Sequence, residues 1–145
     1  MDSSKELIII TGVSGAGKSS AMAFMEDAGY YCIDNMPPEL MSTFVSLLAN
    51  NSEYYPKVAM VVDIRSGYVF EKIIASIDSV EQYGYTCKIV YLDINDTEAL
   101  KRYKLTRRKH PFADKFNGNI QNALDYEREI LAPLRLKADH IIDTS

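Results

Sequence analysis

The chain has 145 residues, 47% of them hydrophobic, which suits one compact α/β domain with a real core. Its net charge of −4 excludes a domain that is basic all over and built to coat a polyanion. Two cysteines, Cys32 and Cys87, both in expected strands, read as reduced, buried thiols rather than a disulfide scaffold, and no zinc-like Cys/His spacing occurs. The start Met1-Asp2-Ser3-Ser4-Lys5-Glu6 is not a signal peptide, and no apolar run approaches the roughly 18 residues of a membrane span. A cytoplasmic location without membrane contact is expected.

Strands and helices alternate along the chain. A strand over Leu7–Thr11 is followed by a glycine-rich loop and a helix to about Ala28, ended by Gly29. Tyr30–Ile33 forms a short second strand that stops at Asp34. Pro37-Pro38 can start the next helix, whose apolar stripe is Leu40, Met41, Phe44, Leu47 and Leu48. Asn50-Asn51-Ser52 breaks it. Val58–Val62 is a fully apolar strand ending at Asp63, and Phe70, Ile73, Ile74, Ile77 and Val80 mark a third helix. Cys87–Leu92 is the fourth strand, ending at Asp93. Asp96 or Thr97 caps a helix to about Lys109, stopped by His110-Pro111. After Asn117-Gly118-Asn119 comes a last helix marked by Ile120, Ala123, Leu124, Ile130 and Leu131, which Pro133 should kink or shorten. His140–Asp143 is the fifth strand. Apolar strands alternating with helices imply a parallel sheet covered by helices on both faces. With the phosphate-loop sequence Gly12–Ser19 between the first strand and the first helix, the expected fold is a P-loop NTPase of kinase-like type, with a five-stranded parallel sheet in the order 2-3-1-4-5. Asp143-Thr144-Ser145 reads as the capping start of a further helix, which implies a chain cut at a domain boundary.

The strongest chemical signal is Gly12-Val13-Ser14-Gly15-Ala16-Gly17-Lys18-Ser19, a full match to the phosphate-binding pattern G-x-x-x-x-G-K-[ST]. Strand and helix flank it as the chemistry requires. Glycines let the backbone wrap a phosphate, and loop amides and the helix N-terminus face the anion. Lys18 would reach the β- and γ-phosphates, and the Ser19 hydroxyl would ligate Mg2+. Asp63, at the end of an apolar strand in the form of a Walker B strand, would hold the same metal through water. Ile64 and Arg65 follow it, so the glutamate that many vigorous ATPases place after this aspartate is missing. Slow hydrolysis is expected. Asp34 is the local candidate for a base that accepts a proton from water or an acceptor hydroxyl; as an alternative it is a turn residue. The run Lys101–His110 is strongly basic within an acidic chain. It can be a solvated helix face, an RNA contact, or a lid whose Arg107 and Arg108, with Arg102, close over the γ-phosphate.

Five segments stand together in an order that resembles one bacterial family. They are Gly12–Ser19, Ala28–Pro37, Asp63-Ile64-Arg65-Ser66, Thr106–Pro111 and Ala138–Ser145. Together they are similar to the amino-terminal domain of the RapZ/YvcJ family of RNase adapters and nucleotide-binding P-loop proteins. Met36 and Phe112 stand where that family usually has leucine. The resemblance implies ATP binding at Gly12–Ser19, a GTP-associated segment at Asp63–Ser66, and ATPase and GTPase activity. It also implies that small regulatory RNA and a ribonuclease are engaged largely through a carboxy-terminal domain outside residues 1–145. The residues themselves favour one triphosphate site accepting ATP or GTP, with Asp63, Ile64, Arg65 and Ser66 in its wall. Two rival readings accompany this one. One is a small-molecule kinase with Asp34 at the acceptor. The other is an RNA-binding module using Lys101–Lys109. An oligomer is compatible with all three.

Overall fold

A computed structural model describes residues 5–13, 15–37, 40–51, 53–62, 69–106 and 114–145. Its elements run β1 (Lys5–Gly12), α1 (Lys18–Asp27), β2 (Tyr31–Met36), α2 (Met41–Asn50), β3 (Lys57–Val62), α3 (Val69–Gln82), β4 (Tyr85–Asp93), α4 (Asp96–Thr106), a single 3-10 turn (Asp114–Phe116), α5 (Ile120–Lys137) and β5 (His140–Asp143). The strands form one sheet in the order β2-β3-β1-β4-β5, and every pairing is parallel. This is the expected architecture.

The sheet is the core. Leu7, Ile9 and Ile10 of β1, Val58–Val62 of β3, and Ile89, Tyr91 and Leu92 of β4 are buried. Central strands covered on both faces need unbroken apolar runs, and these sequences supply them. The step from β1 to β2 is the one connection that moves toward the β2 edge. The right-handed crossover rule therefore sets α1 on one face and the helices of the other connections on the opposite face. Contacts agree: the Cys32 thiol lies 3.7 Å from the Met22 carbonyl of α1, while Tyr85 Oη donates across the other face to the Tyr55 carbonyl at 2.8 Å. Cys32 and Cys87 are free thiols, half-buried rather than fully buried. Burial pushes the Cys87 thiol up to about 12.

Several local expectations need correction. The second helix starts at Met41, not at the proline pair. A residue that precedes proline is disfavoured in helical geometry, and the Pro37 carbonyl accepts the Leu40 N–H at 2.9 Å just before α2 begins. The buried side of α2 is Met41, Val45 and Leu48, while Leu40 and Leu47 are exposed. β2 continues past Asp34 to Met36 through a register shift, with Asn35 at φ 52°. Asn95, not Asp96 or Thr97, caps α4: its side chain accepts the Glu98 N–H at 2.8 Å. α5 runs unbroken through Pro133 to Lys137. A proline inside a helix costs about 3 kcal/mol. Buried Leu131 and Leu134 on either side of it offset that cost.

β5 is the weak edge, with all four residues exposed and Ile141 and Ile142 at 46% and 48%. Ile9→Ala at the sheet centre should therefore cost about 3 kcal/mol, and Ile141→Ala less than about 1 kcal/mol, in urea unfolding.

Candidate functional site: the P-loop between the ends of β3 and β4

β1 delivers the glycine-rich loop to the carboxyl edge of the sheet, with β3 on one side and β4 on the other. The turn begins at Gly12, where φ is 143°. A Cβ there would lie 2.1 Å from the Leu92 carbonyl oxygen, so this glycine is required by contact as well as by backbone conformation. Val13 N–H donates to that same carbonyl at 3.1 Å. Val13 and Ala16 are fully buried and root the loop in the core. Gly15 and Gly17 hold φ of 88° and 96°, and Gly17 is the N-cap of α1. Among the described residues no side chain caps this helix end, which leaves first-turn amides for an anion. Lys18 folds back across the loop and its Nζ donates to the Gly12 carbonyl at 2.9 Å. Ser19, the second residue of α1, is exposed beside it.

The structure thus brings together Gly12, Val13, Gly15, Ala16, Gly17, Lys18 and Ser19. Ser14, Asp63, Ile64, Arg65, Ser66, Arg107 and Arg108 lie outside the described residues. β3 ends at Val62, on the strand next to β1. A serine hydroxyl and a carboxylate are hard oxygen donors of the kind Mg2+ takes, so this donor set fits that ion. Asp34 is exposed on the bulged part of β2, and its carboxylate accepts the Asn35 N–H at 2.8 Å. β3 separates it from β1, which puts Asp34 roughly 10 Å from the loop-bearing strand. Thr11 is buried, and its Oγ1 has no hydrogen-bond partner among the described residues.

Three features were not legible in the sequence. Arg102 meets the loop itself: its guanidinium donates to the Gly15 carbonyl at 2.8 Å and the Thr144 carbonyl at 2.6 Å. Thr144 Oγ1 donates to the Ala16 carbonyl at 2.6 Å. Beside the site, Arg128 of α5 pairs with Asp93 at 2.8 Å and Asp96 at 2.9 Å, and also donates to the Ile94 carbonyl. Arg135 adds a second contact to Asp93 at 3.4 Å. Asp93, at the end of β4, is thereby occupied in fastening α5 to the sheet. The Gln121 side chain, followed by Arg128, holds the Asp96 carboxyl below the ordinary range despite partial burial. Burial pushes the neighbouring Tyr91 phenol up to about 12.

Strand order, crossovers and the glycine-rich loop define a P-loop NTPase fold. Among solved structures, shikimate kinase from Bacteroides thetaiotaomicron superposes with a TM-score of 0.51 at 16% identity, over 96% of this chain and 86% of that one. An uncharacterized protein from Eubacterium ventriosum gives 0.54 at 13% identity, over 96% and 88%. These likenesses concern the fold alone. Residues 5–145 match the RapZ-like N-terminal domain, and the chain belongs to that family. A nucleotide-binding protein of Alkaliphilus oremlandii is 46% identical over 140 residues, which are 97% of this chain and 48% of the relative. One of Finegoldia magna is 45% identical with the same coverage. The chain spans about half the length of these relatives. No described helix is long and apolar enough to cross a membrane.

Two outcomes are expected from this geometry. Gly12→Ala should destabilise the fold by about 3 kcal/mol or more, because neither β4 backbone nor the loop can yield without losing sheet pairing; calorimetry reads it. Asp96 has a folded pKa below its unfolded one. Its contribution is present above the unfolded value of about 4 and lost as pH falls through the folded value. Urea midpoints from about pH 6 to about pH 3 should fall less steeply in Gln121→Leu than in the parent.

Proposed function

We propose that this chain is a nucleoside-triphosphate-binding domain that hydrolyses ATP or GTP slowly with Mg2+, within a protein of the RNase-adapter type. One observation carries the reading: Lys18 and the amides at the start of α1 converge on a loop whose glycines are already in the left-handed region. This arrangement supports an anion cradle with Lys18 beside it. The names of the relatives support a nucleotide as the anion.

In this scheme amides of the loop and of the first turn of α1, the Gly17 amide among them, bind the β- and γ-phosphates, and Lys18 leaves the Gly12 carbonyl to neutralise them. Ser19 and Asp63 would hold the metal, which when bound would offset charge on the phosphate oxygens. Arg107 and Arg108 approach the γ-phosphate from the basic stretch. Asp34, set back on β2, is the remaining local group able to accept a proton from an attacking water, directly or through solvent. No glutamate follows Asp63 to orient that water, which accounts for slow turnover. ATP and GTP share one site, with Asp63, Ile64, Arg65 and Ser66 in its wall. Engagement of small regulatory RNA and a ribonuclease belongs to the larger protein.

The test is phosphate release from ATP and from GTP with Mg2+. Turnover of less than about one per second is expected, at the low end of enzyme rates. Lys18→Ala and Asp63→Ala should each lower it at least about a hundredfold. Tight binding without phosphate release would refute the hydrolase part of the reading. Phosphate transfer that depends on an added hydroxyl compound would replace it with a kinase that uses Asp34 at the acceptor.

A further inference from the structure

The outer side of the P-loop is held by residues that the glycine-rich pattern does not contain. Thr144 Oγ1 donates to the Ala16 carbonyl at 2.6 Å. Arg102 donates to the Gly15 carbonyl at 2.8 Å with one nitrogen and to the Thr144 carbonyl at 2.6 Å with another. Thr144 is itself fixed, because its N–H donates to the Asp93 carbonyl at 2.8 Å. Ser145 Oγ accepts the Asn95 N–H at 2.9 Å. The Asp143 carboxylate accepts from the Ser145 N–H at 2.9 Å and from its hydroxyl at 2.6 Å. The ends of β4 and β5 are thus tied together and then to the loop.

In a trans peptide group the C=O and N–H point in opposite directions. Drawing the Ala16 carbonyl toward Thr144 turns the Gly17 N–H the other way. Drawing the Gly15 carbonyl toward Arg102 does the same for the Ala16 N–H, which donates within the loop to the Val13 carbonyl at 3.0 Å. Gly15 and Gly17 are both at positive φ. Glycine visits many other backbone states at little cost, so peptide groups flanked by glycines need an external hold to keep one orientation.

We infer that Thr144 and Arg102 are positioning residues: Arg102 fixes the Gly15–Ala16 peptide in its bond to Val13, and Thr144 presets the Gly17 amide toward the triphosphate. The inference rests on the nucleotide reading above and deepens it. It assigns a role in anion binding to the residue just past β5, more than 120 positions from the loop in sequence.

The test is calorimetric binding of inorganic tripolyphosphate and of Mg-ATP to the parent, Thr144→Val, Thr144→Ser and Arg102→Gln. Thr144→Val removes, at nearly constant shape, the hydroxyl that lies 2.6 Å from the Ala16 carbonyl and 3.2 Å from the Asp93 carbonyl. It should weaken both ligands by the same factor of about fivefold to tenfold, with Thr144→Ser restoring affinity. Arg102→Gln should also weaken both; it sits on an exposed contact and supplies the test if Thr144→Val does not fold. Unchanged affinity in Thr144→Val and Arg102→Gln overturns the inference. So does a loss confined to ATP, which would mean that these side chains meet the nucleoside. A parent that binds neither ligand refutes the nucleotide reading first, and this inference with it.

Discussion

The constraint on which the rest depends is the approach of Gly12 to the Leu92 carbonyl. β1 pairs with β4 in parallel as far as Gly12 and Leu92. At that point the backbone must leave the sheet and turn into a phosphate-sized loop. A side chain at Gly12 would occupy the carbonyl's space. Because it has none, the Val13 amide reaches the same oxygen and the loop stays attached to the sheet while it turns. α1 then starts from a glycine rather than a polar side-chain cap. Its first amides keep their capacity for an anion, a capacity that a serine or aspartate cap would have used up.

Around that turn, charge is divided between structure and chemistry. Asp93 and Asp96 lie near the ligand edge, yet they are engaged by Arg128, Arg135 and Gln121. This network ties α5 to the end of β4 and the start of α4. Half-buried ion pairs of this kind contribute little net free energy unless well geometrically satisfied, and more when one arginine serves two carboxylates and a carbonyl. The consequence for function is orientation: α4 leaves β4 in a defined direction, and Arg102 on that helix meets the loop.

Much of the site could be read from the sequence because a phosphate loop is a local object. Glycine positions, a lysine and a hydroxyl at fixed spacing, and a strand before and a helix after are all contiguous in the chain. The elements were legible for a similar reason: fully apolar runs such as Val58–Val62 suit a central parallel strand and little else. The misread details were those set by competition between neighbours. The start of α2 fell at Met41, past the proline pair. Asn95 took the cap of α4 because Asp96 was drawn to Arg128 and Gln121. Pro133 stayed inside α5 because Leu131 and Leu134 were worth burying on either side of it.

By itself, then, the sequence determined the kind of fold and the chemistry of its loop. Both depend on hydrophobic period and on residue types at short spacing. Tertiary structure alone decided what stands behind that loop. In the chain Arg102 reads as a basic residue of a lid-like helix and Thr144 as part of a strand-end segment, and neither reading places them behind the loop. They matter because β4 and β5 end at the same height as β1, within hydrogen-bond reach of the Gly15 and Ala16 carbonyls. No local pattern encodes that reach, since it is fixed by strand register across the sheet.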